Sequence, residues 1–132
     1  MNAPEFTQLD HCSVIITDVE RSRRFYRDVL GLKEIAKPRT FDFVVLWFDL
    51  GNSHVHLLLK DNADVTSPRH FALRVKDAAA ARAYLQANGV KTEETTPIPG
   101  AARFFIRDPD GNRIEVIQWL QPYDPAVSGR KA

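Results

Sequence analysis

The sequence predicts an α+β domain built from two tandem βαβββ modules, and three observations carry that prediction. Sliding the chain by 59 residues lays 10–18 (Asp-His-Cys-Ser-Val-Ile-Ile-Thr-Asp) over 69–77 (Arg-His-Phe-Ala-Leu-Arg-Val-Lys-Asp), with His on His and Asp on Asp. The same shift carries Phe25 onto Tyr84, Asp49 onto Asp108 and His56 onto Glu115. In both copies the hydrophobic period changes from that of a strand to that of a helix just after an aspartate. Matching turn signals then divide the remainder of each copy into short strands. A chain of 132 residues accommodates two such modules as a single domain over 1–132, and folding hides about two thirds of its surface.

Module one spans about 9–60. Residues 9–17 alternate apolar with polar or small side chains and read as a strand with one face packed on a helix. Asp18 is a suitable N-cap for a helix over 19–30, with Phe25, Tyr26, Val29 and Leu30 at helical spacing and Gly31 at its end. Strands are expected near 33–37, 41–50 and 53–60, the last two joined by Gly51-Asn52. A polar linker, 61–68, ends on Pro68. Module two, about 69–119, repeats the pattern: a strand over 69–76, Asp77 as N-cap, and a helix over 78–88 with Ala79, Ala83, Tyr84 and Ala87 as its apolar set. Gly89 ends that helix, and strands near 91–96, 103–107 and 113–119 follow, the last two joined by Asp108-Pro109-Asp110-Gly111-Asn112. The tail, 121–132, contains Pro122, Pro125 and Gly129 and is expected to be mobile.

Composition narrows the function. With 44% hydrophobic and 27% charged residues and a net charge of +1, nothing predicts a nucleic-acid stripe or a strongly charged partner surface. The cluster from Glu20 to Arg24 reads as a solvated helix face. No segment is long and apolar enough to span a bilayer, and the start lacks a secretory signal, so a complete cytoplasmic chain without membrane contact is expected. The single cysteine, Cys12, excludes an intrachain disulfide framework and points to packing rather than nucleophilic chemistry.

His11, His56, His70 and Glu115 occupy two structural positions in each copy, since 11 to 56 and 70 to 115 are both 45 residues. In the first strands Cys12, Val14 and Ile16, or Phe71, Leu73 and Val75, form the helix-side set, so the histidines point the other way. In the last strands Val55, Leu57 and Leu59, or Ile114 and Val116, put His56 and Glu115 on that same concave side. Burial alone favours apolar side chains there, so three histidines facing a carboxylate point to a metal site. Imidazole nitrogen with carboxylate oxygen suits one divalent transition metal, Fe, Ni, Co, Zn or Mn. His54 shares the parity of His56 and reads as a hydrogen-bonded strand histidine.

Asp10-His11, the stretch from Arg24 to Leu32 (Arg-Phe-Tyr-Arg-Asp-Val-Leu-Gly-Leu), Asn88-Gly89-Val90, and the stretch from Phe105 to Glu115 together resemble the vicinal oxygen chelate superfamily. That superfamily joins glyoxalase I, bleomycin- and fosfomycin-resistance proteins, methylmalonyl-CoA epimerase and extradiol dioxygenases. The resemblance covers about 9–119. It implies an open cupped sheet around a divalent metal, a cup often shared between two chains of a homodimer, and His11, His70 and Glu115 at the usual ligand positions. It also implies a small substrate that chelates the metal through neighbouring oxygens, with Glu115 as a candidate catalytic base. Glyoxalase I carries a carboxylate where this chain has His56, so activity of that type is expected to be low.

Parity in the third strands sets the expected lining. Phe104 and Ile106 suit the helix side, which leaves Arg103, Phe105 and Arg107 facing the cup; Val44, Leu46 and Phe48 are the equivalents in module one. Arg74, on the His70 face, adds an anion contact, and Trp47 falls to the core. Arg74, Arg103, Phe105, Arg107 and Phe48 are thus the expected substrate contacts, with ion pairing or solvent exposure as the competing reading for each arginine. The leading expectation is a small metal-dependent enzyme of lyase, isomerase or dioxygenase type. The alternatives are a metal-free protein binding a drug or metabolite, and an accessory domain whose cup is only structural.

Overall fold

The computed structural model describes residues 2–40, 42 and 44–132, the side chain of Val44 excepted. The chain divides into two units, Met1–Asp64 and Val65–Ala132.

In the first unit the order is β1 (His11–Ile16), α1 (Val19–Arg23) continuing into a π-helical turn (Arg24–Val29), β2 (Lys33–Ile35), β3 (Val44–Asp49) and β4 (His54–Leu59). Asp18 caps α1 as expected, accepting from the Arg21 N–H at 3.0 Å. The helix then widens: Leu30 N–H donates to the Phe25 carbonyl five residues back, which brings Phe25 and Tyr26 inward together. Strands lie in the order β1-β4-β3-β2, with β1 parallel to β4 and the other pairs antiparallel. Ile16, Tyr26, Leu46, Phe48, Val55 and Leu57 form the core between helix and sheet.

The second unit contains β5 (His70–Arg74), α2 (Ala78–Ala87), β6 (Ala101–Arg107), β7 (Arg113–Trp119) and α3 (Pro125–Ser128). Its sheet has the order β5-β7-β6, again with a parallel first pair. Asp77 caps α2 through the Ala80 N–H at 2.9 Å. The two-module α+β reading is therefore what the structure shows, with local departures.

The strand expected at 91–96 is a single bridge, Glu93 to Phe105, so this sheet has three strands rather than four. Pro97 has no N–H to extend the ladder, and the Arg103 guanidinium takes the Thr96 carbonyl instead. The buried face of α2 is Ala78, Ala81, Arg82 and Leu85, nearly opposite the expected Ala79, Ala83, Tyr84 and Ala87, which are exposed. Alanines surround this helix and specify no face, so Leu85 and the Arg82 guanidinium, 4.8 Å over the Phe104 ring, set its rotation. The tail is not wholly irregular, since Asp124 caps the short α3.

A larger correction concerns β3. Leu46 and Phe48 face the helix: Phe48 is fully buried and its ring stacks 5.7 Å from Tyr26. Trp47, expected in the core, pairs in register with His56 and shares its face. The loops explain the error. Residues 50–53 join β3 to β4, whereas 108–112 join β6 to β7, one residue more. A one-residue difference exchanges the faces of the strand before the turn, so Trp47 lies opposite His56 where Phe105, the counterpart of Leu46, lies opposite Glu115. Phe41 and Phe43, within the expected strand 41–50, and the Val44 side chain lie outside the described residues.

Candidate functional site

In the first unit, β1, β4 and β3 present His11, His54, His56, Trp47 and Asp49 on the face opposite α1. The His56 ring is stacked between two neighbours: His11 at 4.2 Å between centroids and Trp47 at 3.7 Å, nearly parallel. His56 is buried, and burial, with His11 and His54 adding to it, lowers its pKa from 6.5 to about 4 against the opposing pull of Asp10. It is therefore a neutral donor at physiological pH. His11 Nδ1 donates to Asp10 Oδ1 at 2.8 Å, which leaves Nε2 as its lone-pair nitrogen. That contact holds the exposed Asp10 carboxyl below its usual range.

In the second unit, His70, Arg103, Phe105, Arg107, Arg113 and Glu115 share the corresponding face of β5, β7 and β6. His70 Nδ1 donates to the Pro68 carbonyl at 3.0 Å, since a carbonyl only accepts, and its Nε2 faces Glu115 Oε1 at 3.1 Å. Glu115 Oε2 receives Arg103 Nη1 at 3.4 Å. The Phe105 ring stands edge-on to His70 at 4.9 Å and carries the Arg113 guanidinium 3.5 Å above it. Arg103 Nε is buried without an acceptor among the described residues.

Residues 8–116 match the family model of the Glyoxalase/Bleomycin resistance protein/Dioxygenase superfamily. The chain belongs to that superfamily. It is 30% identical over 124 residues to the lactoylglutathione lyase of Haemophilus influenzae, covering 84% of this chain and 92% of that protein. Among solved structures, a Bacillus anthracis protein assigned to the glyoxalase family superposes with a TM-score of 0.81 at 28% identity, covering 89% of this chain and 98% of the other. An antibiotic binding protein from a Streptomyces species shares the fold, with a TM-score of 0.67 at 22% identity over 88% of this chain and 98% of that one.

Glyoxalase superfamily members generally use a divalent metal. Among the described residues, no three His, Cys, Asp or Glu groups are already gathered as a metal cluster. The donor chemistry nonetheless fits one. With Nδ1 committed to Pro68, His70 turns Nε2 toward a carboxylate oxygen, and an imidazole nitrogen and a carboxylate oxygen 3.1 Å apart are joined by a shared proton or by a cation that both ligate. Both His11 and His70 have their second nitrogen fixed by an oxygen, the arrangement that orients metal-binding imidazoles.

Of the expected lining residues, Arg103 and Phe105 lie against Glu115 and His70. Arg107 is taken up by Glu93 at 3.3 Å and the Gly111 carbonyl at 3.0 Å, and Arg74 sits exposed at the far end of β5. Phe48 lies in the core as described, and burial pushes the Cys12 thiol up. Two contacts escaped sequence reasoning. Trp47 is recoverable from its pairing with His56, and Arg113 from its place two residues before Glu115 on the same strand face.

Proposed function

We propose that the chain is a metal-dependent enzyme of this superfamily, closest in chemistry to its lyases and isomerases, acting on a small substrate with neighbouring oxygens. A dioxygenase reaction is the second chemistry the same ligands support. The observation that carries this reading is the 3.1 Å approach of His70 Nε2 to Glu115 Oε1, a nitrogen and an oxygen close enough to ligate one cation. The candidate ligands in this reading are His11 and His56 on the first sheet and His70 and Glu115 on the second. The metal, Fe, Ni, Co, Zn or Mn, would supply Lewis acidity to the two substrate oxygens and stabilise charge developing on them. Arg103 fixes the Glu115 carboxylate by Oε2, so Oε1 is the oxygen turned to ligate or to accept a proton from substrate carbon. The unpartnered Arg103 Nε and the Arg113 guanidinium on Phe105 favour a substrate that carries negative charge near this face. The same reading includes a cytoplasmic homodimer, because strand edges are left to cover; light scattering showing only monomer with metal bound overturns that part.

The test is elemental analysis of untagged protein. The parent is expected to carry a divalent metal, and His70→Ala and Glu115→Ala each to lower its affinity about 100-fold or more while the far-UV spectrum stays native. Folded variants with the parent's metal content reject the assignment. One observation favours a second reading, a metal-free protein binding a drug or metabolite: Arg103 already gives Glu115 a positive partner. A parent that binds no metal at micromolar concentration supports that reading.

A further inference from the structure

His54 is absent from the four ligand positions above, yet its Nδ1 lies 3.3 Å from His56 Nε2. The two residues alternate on β4, so strand geometry puts both imidazoles on one face. An ion held about 2.05 Å from each nitrogen would make an N–metal–N angle of about 105°, close to tetrahedral. The surroundings of His54 suit donation by its Nδ1. Asp49 Oδ1 stands 3.7 Å from His54 Nε2 and favours the tautomer with its proton there, which leaves Nδ1 as a lone pair. Trp47 and His11 fix the plane of the His56 ring by stacking on it. Asp49 is itself held by the Gly51 N–H at 2.7 Å.

We propose that His54 is a metal ligand, and that with His56 it forms a two-nitrogen chelate in the first unit that binds a divalent cation such as Zn(II) without His70 or Glu115. Water completes the coordination of an ion held this way. The chelate does not rest on the four-residue assignment, because it uses only β4 and the groups that orient it.

The experiment titrates Zn(II) into the untagged full-length chain by calorimetry, with Co(II) quenching of tryptophan fluorescence as a local reporter, since Trp47 lies against His56. The double variant H70A/E115A is expected to bind one Zn(II) more weakly than the parent and to keep the Co(II) quench. Adding His54→Ala or His54→Gln to it is expected to weaken Zn(II) binding at least about tenfold and to remove most of the quench. Circular dichroism and melting confirm folding, and the two His54 replacements guard against a defect peculiar to one. If H70A/E115A binds no Zn(II), or binds it equally well with His54 replaced, the proposal is wrong and the 3.3 Å contact is only an N–H···N hydrogen bond. If H70A/E115A keeps the parent's affinity while His54→Ala alone loses it, the chelate stands and the four-residue assignment falls.

Discussion

The two units place candidate site residues at equivalent strand positions but equip them differently. The face of β1, β4 and β3 is built mainly from stacked rings, with His56 held unprotonated between His11 and Trp47 and Asp49 at its edge. The face of β5, β7 and β6 is built from charge, with Glu115 between His70 and Arg103 and a second guanidinium on Phe105. The first face offers mainly imidazole nitrogens to a cation, and the second a buried carboxylate. The difference teaches that one backbone plan supplies both kinds of donor, and that the guanidinium groups, which would receive a negative ligand, are gathered on the second face.

The largest effect expected from this contrast tests which side of β3 faces the helix. Phe48→Ala is expected to cost about 3–5 kcal/mol in chemical denaturation, because it empties a fully buried site against Tyr26. Trp47→Ala is expected to cost well under that and to change the titration of His56 instead. Equal losses of stability would mean the faces are misassigned.

Next in size is the effect of moving a carboxylate into the ring stack. His56→Glu adds a carboxylate where the stack has none, lowers the net charge of a bound metal centre by one and introduces a proton acceptor. With the adduct of methylglyoxal and glutathione under supplied Ni(II), Co(II) or Zn(II), the parent is expected to be weak and the variant about 10–100-fold faster. A strong parent whose activity the substitution abolishes would show that imidazole serves the lyase reaction.

The smallest expected effect is a slope in stability with pH. Below about pH 6.5 the unfolded chain takes up a proton at His56 that the folded chain accepts only near 4. Metal-free protein should therefore lose stability as pH falls through that interval, and His56→Gln should flatten the slope. Thermal melts in chelator at several pH values measure it, and an unchanged slope in the variant would assign the effect to another group.

The aspartate caps, the glycine-ended helices and the two histidine-bearing first strands were legible because each is a local event with its own residue signature. The shared strand faces of His11 with His56 and of His70 with Glu115 were legible because a duplicated pattern repeats a spacing that chance rarely does. The rotation of α2 was not, because an alanine-rich helix has no distinct apolar stripe to read. Nor was the fate of 91–96, where Pro97 and the reach of Arg103 decide the ladder, or the company kept by His54, which depends on the angle between two rings.

The unequal turns of the two hairpins carry a consequence for how such a protein acquires new specificity. Insertion or loss of one codon between β3 and β4 would exchange Trp47 for its neighbours on the exposed side while His54 and His56 stayed on the neighbouring strand. Duplication followed by a single-residue indel thus offers a route to a different pocket wall that no series of point substitutions reproduces in one step. Comparisons between halves, or between relatives, have to count the turn before they transfer a lining residue.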